Sequence, residues 1–317
     1  MAAIVTAEAC WWAACWKAGL APPPLLLTYL TLAFVALAAA LTLRLALVPG
    51  RPRARWPGVL TGTLLVGLGA SLFLPLKYAI PGQVGFWLDA PLAAAERALF
   101  GGDPWQRLQL MLGWALVPID RIYGLWLPTQ LLALFAVMLE PPSALKSRAL
   151  IVYGLAWFAL GVVAATSLSS VGPIFYDRVF GQTQFTTLNE MLRTNGAWMT
   201  VVESDSMWAS FATSRPGAVA GISAMPSLHV AMSFWIFLVA RALAPRAAPF
   251  ALGYAFLIWI GSVQLGWHYV ADGLVGALGV AAIWAAVTAM ATRPGSTRAE
   301  CEASLTRLRP LLLNPDD

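Results

Sequence analysis

The chain has 317 residues, 59% of them hydrophobic and 11% charged, with a formal net charge of +5. Soluble domains carry about 25% charged residues, so this composition excludes water as the main solvent and points to lipid. The positive charge is spread over short loops with no basic arm, which excludes a nucleic-acid partner.

In chain order, residues 1–22 lack a basic n-region and carry Trp11, Trp12 and Trp16, so they read as an interfacial segment and not as a signal peptide. Apolar runs follow near 24–43, 57–76, 123–140, 149–168, 228–244, 250–266 and 270–291. Each approaches the roughly 20 residues that cross a hydrocarbon core. Helices are the spanning element, because no alternating barrel pattern is present and lipid satisfies no free backbone group. The 15 Trp suit membrane-interface anchoring. The expected fold class is all-α, a polytopic transmembrane helix bundle of about 6–8 spans. Its parts are the interfacial segment 1–22, a transmembrane catalytic domain 23–292 with core motifs in 222–276, and a cytoplasmic tail 293–317.

Basic residues orient the bundle. Arg44, Arg51, Arg53 and Arg55 follow the first run, Lys146 and Arg148 the third, Arg241 and Arg246 the fifth, and Arg293, Arg298, Arg307 and Arg309 the last. With alternating spans they share one side, which the positive-inside rule makes cytoplasmic. Two long segments then lie outside. Residues 77–122 hold Lys77, Asp89, Glu96 and Asp103, and their LDAPLAAAERALFGG stretch has the period of an amphipathic surface helix. Residues 169–226 are the most polar part of the chain and run into SAMPSLH, as a lid, a wall or a solvated connector. Gly172-Pro173 reads as a loop breaker, and Gly273, Gly276 and Gly279 as residues that let helices approach closely. Cys10, Cys15 and Cys301 have no CxxC spacing and read as plain thiols.

The chain has two histidines, His229 and His268. Each opens an apolar run, and one intervening run returns the chain to the same side. Parity therefore places both imidazoles on the non-cytoplasmic face, at helix N-termini whose dipoles and amides suit an anion. Pro226 suits a first helical turn, with the Ser227 hydroxyl beside it as a donor. Asp272 lies four residues after His268, one helical turn away. A carboxylate there fixes one imidazole nitrogen and frees the other to attack. His229, without such a partner, suits a general acid. An ionisable pair at membrane depth marks function by default. Cations must neutralise a phosphoryl group, and the outer side offers Lys77, Arg178, Arg193 and Arg215. Two histidines are too few for an imidazole-built dinuclear cage, so the expected site uses no metal and no cofactor.

These residues resemble the type 2 phosphatidic acid phosphatase superfamily. Its Pro-Ser-Gly-His motif is matched by Pro226-Ser227-Leu228-His229, and the His-x-x-x-Asp end of its third motif by His268 and Asp272. The resemblance implies a helical bundle with an outward-facing phosphohistidine site, His268 as nucleophile, Asp272 as its orienting partner and His229 as acid. The third motif's Arg falls at Ser262, and the first motif's Lys falls at Trp208, ahead of Arg215-Pro216. With Leu228 in place of Gly, these departures and the wording Ala-Met-Pro-Ser-Leu-His are similar to the inositol phosphorylceramide synthase-like branch. The resemblance thus implies a lipid phosphotransferase or phosphatase acting on a phospholipid, prenyl phosphate or sphingolipid. Its phosphate would be held by Ser227, Arg178, Lys77 and Arg215. Two rival readings remain at this level: a bis-histidine haem protein, and a structural or transport protein carrying a relict motif.

Overall fold

The computed structural model describes residues 25–47, 54–213 and 221–291. The interfacial segment 1–22, the tail 293–317, the three cysteines and Arg215 lie outside the described residues. Among the described residues the secondary structure is entirely helical. The helices are α1 (Leu25–Leu47), α2 (Trp56–Gln83), α3 (Asp89–Phe100), α4 (Pro104–Leu112), α5 (Leu116–Gly124), α6 (Trp126–Leu139) and α7 (Ala144–Phe158), which runs on through a π-helical turn, Ala159–Ala164, to Ser167. Then come α8 (Pro173–Phe180), α9 (Thr186–Thr194), α10 (Trp198–Ala212), α11 (Leu228–Leu243), α12 (Ala248–Gln264) and α13 (Val270–Ala291).

Five of these helical segments are long and apolar enough to cross a membrane: α1, α2, α7 with its extension, α12 with the turn before it, and α13. A sixth crossing is formed if α4–α5 and α6, bent by 47°, act as one broken span. Five to six crossings among the described residues meet the lower end of the expected six to eight. Although α11 is apolar, it has only 16 residues, about 24 Å at 1.5 Å per residue, short of the hydrocarbon thickness. The second run is longer than expected. It continues past Pro75 and Pro81 to Gln83, so Lys77 is a buried residue of α2 and not part of an outer loop.

The centre of the bundle is α11, packed along both α12 and α13, with α13 also against α7; α1 lies along α2 and α6. Two residues set how closely α11 and α13 meet. A Cβ at Gly276 would strike the Ser227 carbonyl oxygen, so only glycine lets α13 lie against the start of α11. Trp235, fully buried, donates from Nε1 to the Ala149 carbonyl at 3.0 Å and ties α11 to α7.

The outer segments pack onto this core. On α3 the buried residues are Asp89, Ala93 and Glu96, while Leu99 is exposed. The periodicity is that of the expected amphipathic helix, but the face turned inward carries two carboxylates. Asp120 on α5 accepts from the amides of Met199 (2.9 Å) and Thr200 (2.8 Å) and so caps α10. Residues 169–226 form α8–α10 and the approach to α11, a structured wall in the described part.

Candidate active site

Ser227 is the N-cap of α11: its Oγ accepts from the Val230 amide at 3.3 Å. The helix begins at Leu228, so Pro226 lies ahead of the cap and not in the first turn. The side chain expected to donate a hydrogen bond thus accepts one. The Ser227 amide donates to the Asp272 carbonyl at 3.0 Å, which locks the start of α11 to the first turn of α13.

The two imidazoles meet across that junction, with ring centroids 5.8 Å apart and planes at 59°. His268 Nδ1 and Asp272 Oδ2 are 3.2 Å apart. The same oxygen accepts the Tyr269 amide at 3.0 Å, and Asp272 is fully buried. A neutral imidazole that donates Nδ1–H to this carboxylate keeps a lone pair on Nε2. His229 has a different environment. Its ring stacks on Tyr123 (4.7 Å, 18°) and tilts against Trp126 (4.2 Å, 42°). Trp126 Nε1 also donates to the His229 carbonyl at 2.9 Å.

The expected cations divide. Lys77 reaches the site: its Nζ donates to the Ser223 carbonyl at 3.2 Å, in the segment leading to α11, and its charge acts on both imidazoles. Arg178 is held elsewhere, by Asp205 at 2.8 Å and over the Trp208 ring at 5.7 Å. Arg193 pairs with the same Asp205 at 2.6 Å. These two guanidiniums hold the Asp205 carboxyl below its usual range, Arg193 foremost.

Two carboxylates that the sequence reading left in an outer segment belong to the site. Glu96 accepts the Ala271 amide at 3.0 Å. Burial pushes its carboxyl up to about 7, against the pull of the Ala271 and Val270 amides, with Asp272 and Asp103 adding to the rise. Asp89 accepts from Ser170 Oγ (2.9 Å) and from the amides of Val171 (2.9 Å) and Gly172 (3.0 Å). Burial raises its carboxyl as well. The 169–172 loop held in this way accepts the Ala224 amide at Ser170 O (2.7 Å). It also brings Gly172, at φ +81°, against the Trp267 carbonyl. Gly172-Pro173 is therefore a close backbone approach beside His268 and not only a break in a loop. No local sequence signal marks Asp89, Glu96, Tyr123 or Trp126, because their partners lie tens to hundreds of residues away.

His268 and Glu96 line a cavity with Asp103, Pro104, Trp105 and Tyr269, of about 10 Å³, room for about one water. Next to it, and sharing Pro104 and Val263, an apolar groove of about 240 Å³ runs between α4 and α12, with Arg107 among its lining residues.

No curated protein and no solved structure matches the chain. A sequence profile described as the PAP2 superfamily matches residues 91–286, which takes in α4–α12, both histidines and Asp272. That match covers more than half of the chain and coincides with a bundle of apolar, membrane-length helices, so this polytopic membrane protein belongs to the PAP2 superfamily.

Proposed function

We propose that the protein is a lipid phosphotransferase or phosphatase working through a phosphohistidine on the non-cytoplasmic face of the cell membrane. The observation that carries this reading is the asymmetry of the imidazole pair. His268 is held at Nδ1 by Asp272, and His229, its ring centroid 5.8 Å away, has no carboxylate partner among the described residues. His268 Nε2 attacks phosphorus with its lone pair, and the bond from phosphorus to the leaving oxygen breaks. Protonated His229 gives that oxygen its proton. An acceptor O–H then attacks the phosphohistidine, His229 takes the acceptor's proton, and the P–N bond breaks. The net change is exchange of one alcohol, or water, for another on the phosphoryl group.

Lys77 supports the developing charge on the phosphoryl oxygens. The Ser227 hydroxyl, at the start of α11, is a further donor in this reading. Arg178 contributes in this reading by exchanging Asp205 for the phosphate, and Arg215 is the remaining candidate. The apolar groove beside Pro104 and Val263 takes a hydrocarbon chain of the lipid. Leu228 and Ser262, at positions where the superfamily motif has Gly and Arg, favour transfer to an alcohol, as in the inositol phosphorylceramide synthase-like branch. A simple phosphatidate or isoprenyl phosphate phosphatase is the alternative. A haem between the histidines fits poorly, because Tyr123 and Trp126 pack against the His229 ring.

The purified protein is incubated with phosphatidic acid, a prenyl diphosphate and a ceramide–phospholipid pair, each labelled on phosphorus. New labelled lipid is expected, with acid-labile label on the protein that His268→Ala abolishes. Free phosphate without new lipid would select the phosphatase. No turnover of any donor and no vanadate binding would refute the reading.

A further inference from the structure

A phosphoryl group in flight presents three equatorial oxygens, and each needs a donor. Among the described residues, Lys77 is the cation whose charge acts on both imidazoles. One ammonium leaves oxygens unserved. Ser262 is no substitute: its Oγ is spent on the Trp259 carbonyl at 2.7 Å.

Buried side-chain polar atoms are paired in the large majority of cases, and each exception calls for an explanation. Among the described residues, the exceptions at the histidine site include Tyr123 Oη, Ser223 Oγ and Asp272 Oδ1, beside Trp105 Nε1 and Tyr269 Oη at the His268 cavity. Tyr123 is 4% exposed. Its ring lies between His229, stacked at 4.7 Å, and Trp267, at 6.4 Å and 13°, the residue before His268. Its hydroxyl acts electrostatically on Asp272 and Glu203. The ring thus spans the two halves of the site, against the acid on one side and the nucleophile's segment on the other. Ser223 is fixed by the Lys77 Nζ bond to its carbonyl, which places its hydroxyl in the residue that the ammonium already holds. Both hydroxyls are rigidly mounted and neither has a hydrogen-bond partner among the described residues.

We propose that Tyr123 and Ser223 are phosphoryl-oxygen donors, their hydroxyls hydrogen-bonding the phosphoryl group carried between His229 and His268 beside the Lys77 ammonium. Two neutral donors are thereby added to the Lys77 ammonium at the site. They add no further buried charge, which favours this choice in a site that already holds Asp272, Glu96 and Asp89. A preorganised donor acts most where charge develops in the transition state. This inference rests on the phosphoryl-transfer reading.

The test uses Tyr123→Phe and Ser223→Ala in the full chain, each removing one oxygen and keeping the packing. For each, kcat is expected to fall roughly 10²–10³-fold, the loss typical of one such donor. Vanadate affinity falls with it, while the thermal midpoint without ligand is unchanged or higher, because the hydroxyl has no partner to lose. Full turnover and full vanadate affinity in Tyr123→Phe, with an active wild type, would overturn the inference alone. So would a parallel loss of midpoint and turnover, which would mean the hydroxyl is bonded within the protein. A wild type that neither turns over lipid nor binds vanadate would instead remove the phosphoryl-transfer reading itself.

Discussion

The Glu96 carboxylate accepts the Ala271 amide at 3.0 Å, joining the outer helix α3 to the first turn of α13. Helix N-termini are anion sites because their first amides lack partners. At α13 that vacancy is filled from within the protein, by Glu96 at Ala271 and by Asp272 at Tyr269. On the proposed phosphoryl-transfer function, a phosphate shared between the histidines would sit toward the α11 end. The two helix starts, equivalent in the sequence, do different things: one is filled by the carboxyl groups of Glu96 and Asp272, and the other is capped by its own Ser227 at the Val230 amide.

Glu96 gives the protein a pH signature. Its carboxyl sits near 7 in the fold against 4.5 for free Glu, so the folded state holds a proton that the unfolded chain has released. Stability from this group is full below about pH 4.5 and is lost as pH rises through about 7. The loss is of the order of 1–3 kcal/mol. Glu96→Gln is neutral throughout and lacks the decline. In detergent, the wild-type midpoint should fall relative to Glu96→Gln between pH 4.5 and 7. Parallel curves would show that burial does not govern this carboxyl.

Asp272→Asn tests the holding of His268. The asparagine keeps an oxygen for the Tyr269 amide but no longer requires a proton on His268 Nδ1. The expected result is a fall in kcat on the order of 10²–10⁴ with little change in KM. A midpoint close to wild type separates this from unfolding. Unaltered kcat would remove Asp272 from the chemistry.

Lys77→Met keeps a long side chain and drops a buried charge. Because an ammonium in the bundle is costly, the variant should fold at least as stably as wild type. Without the cation, phosphoryl-transfer turnover should fall roughly 10²–10³-fold and vanadate affinity with it. Stability rising while activity falls is the expected combination. A loss of stability would mean that the bond to the Ser223 carbonyl is the residue's main role.

How much of this was legible in the sequence follows from how local each signal is. The four-residue step from His268 to Asp272 was legible, but His268 sits in the bend before α13, which starts at Val270, so the 3.2 Å contact is made across that bend and not along a helical turn. The junction of His229 with His268 follows from span parity, yet parity counted α11 as a full crossing, and a 16-residue helix is short for one. The rings meet because α11 packs on α13, wherever lipid ends. Glu96 and Asp89 were placed on an outer amphipathic helix, and that helix exists. Polar residues on such a helix are expected to face water; these two face a site whose free amides, at Ala271 and at Val171 and Gly172, come from 175 and 83 or fewer positions away. No spacing rule connects them. Tyr123 and Trp126 sit in an apolar run where aromatic residues are ordinary, so nothing local separates a residue stacked on His229 from one facing lipid. Arg178 shows the reverse failure: its charge was legible, and its engagement by Asp205 was not.

Gly276 tests whether the α11–α13 junction, and not merely the presence of its residues, sets activity. A Cβ there strikes the Ser227 carbonyl, a backbone atom that cannot rotate away. Gly279, one turn on, would meet the tip of the Leu160 side chain at 2.7 Å, which can shift. Gly276→Ala must separate the helices or tilt the Ser227 cap, and either lengthens the 3.0 Å bond from the Ser227 amide to the Asp272 carbonyl. Overpacking of this kind costs about 1–3 kcal/mol. The change in geometry passes straight to the distance between His229 and His268, so turnover should fall even at temperatures where the variant is fully folded. Gly279→Ala should lose less stability and keep its turnover. Equal behaviour of the two variants would show that the helix contact tolerates a methyl group at Ser227 and that the imidazole spacing is fixed elsewhere.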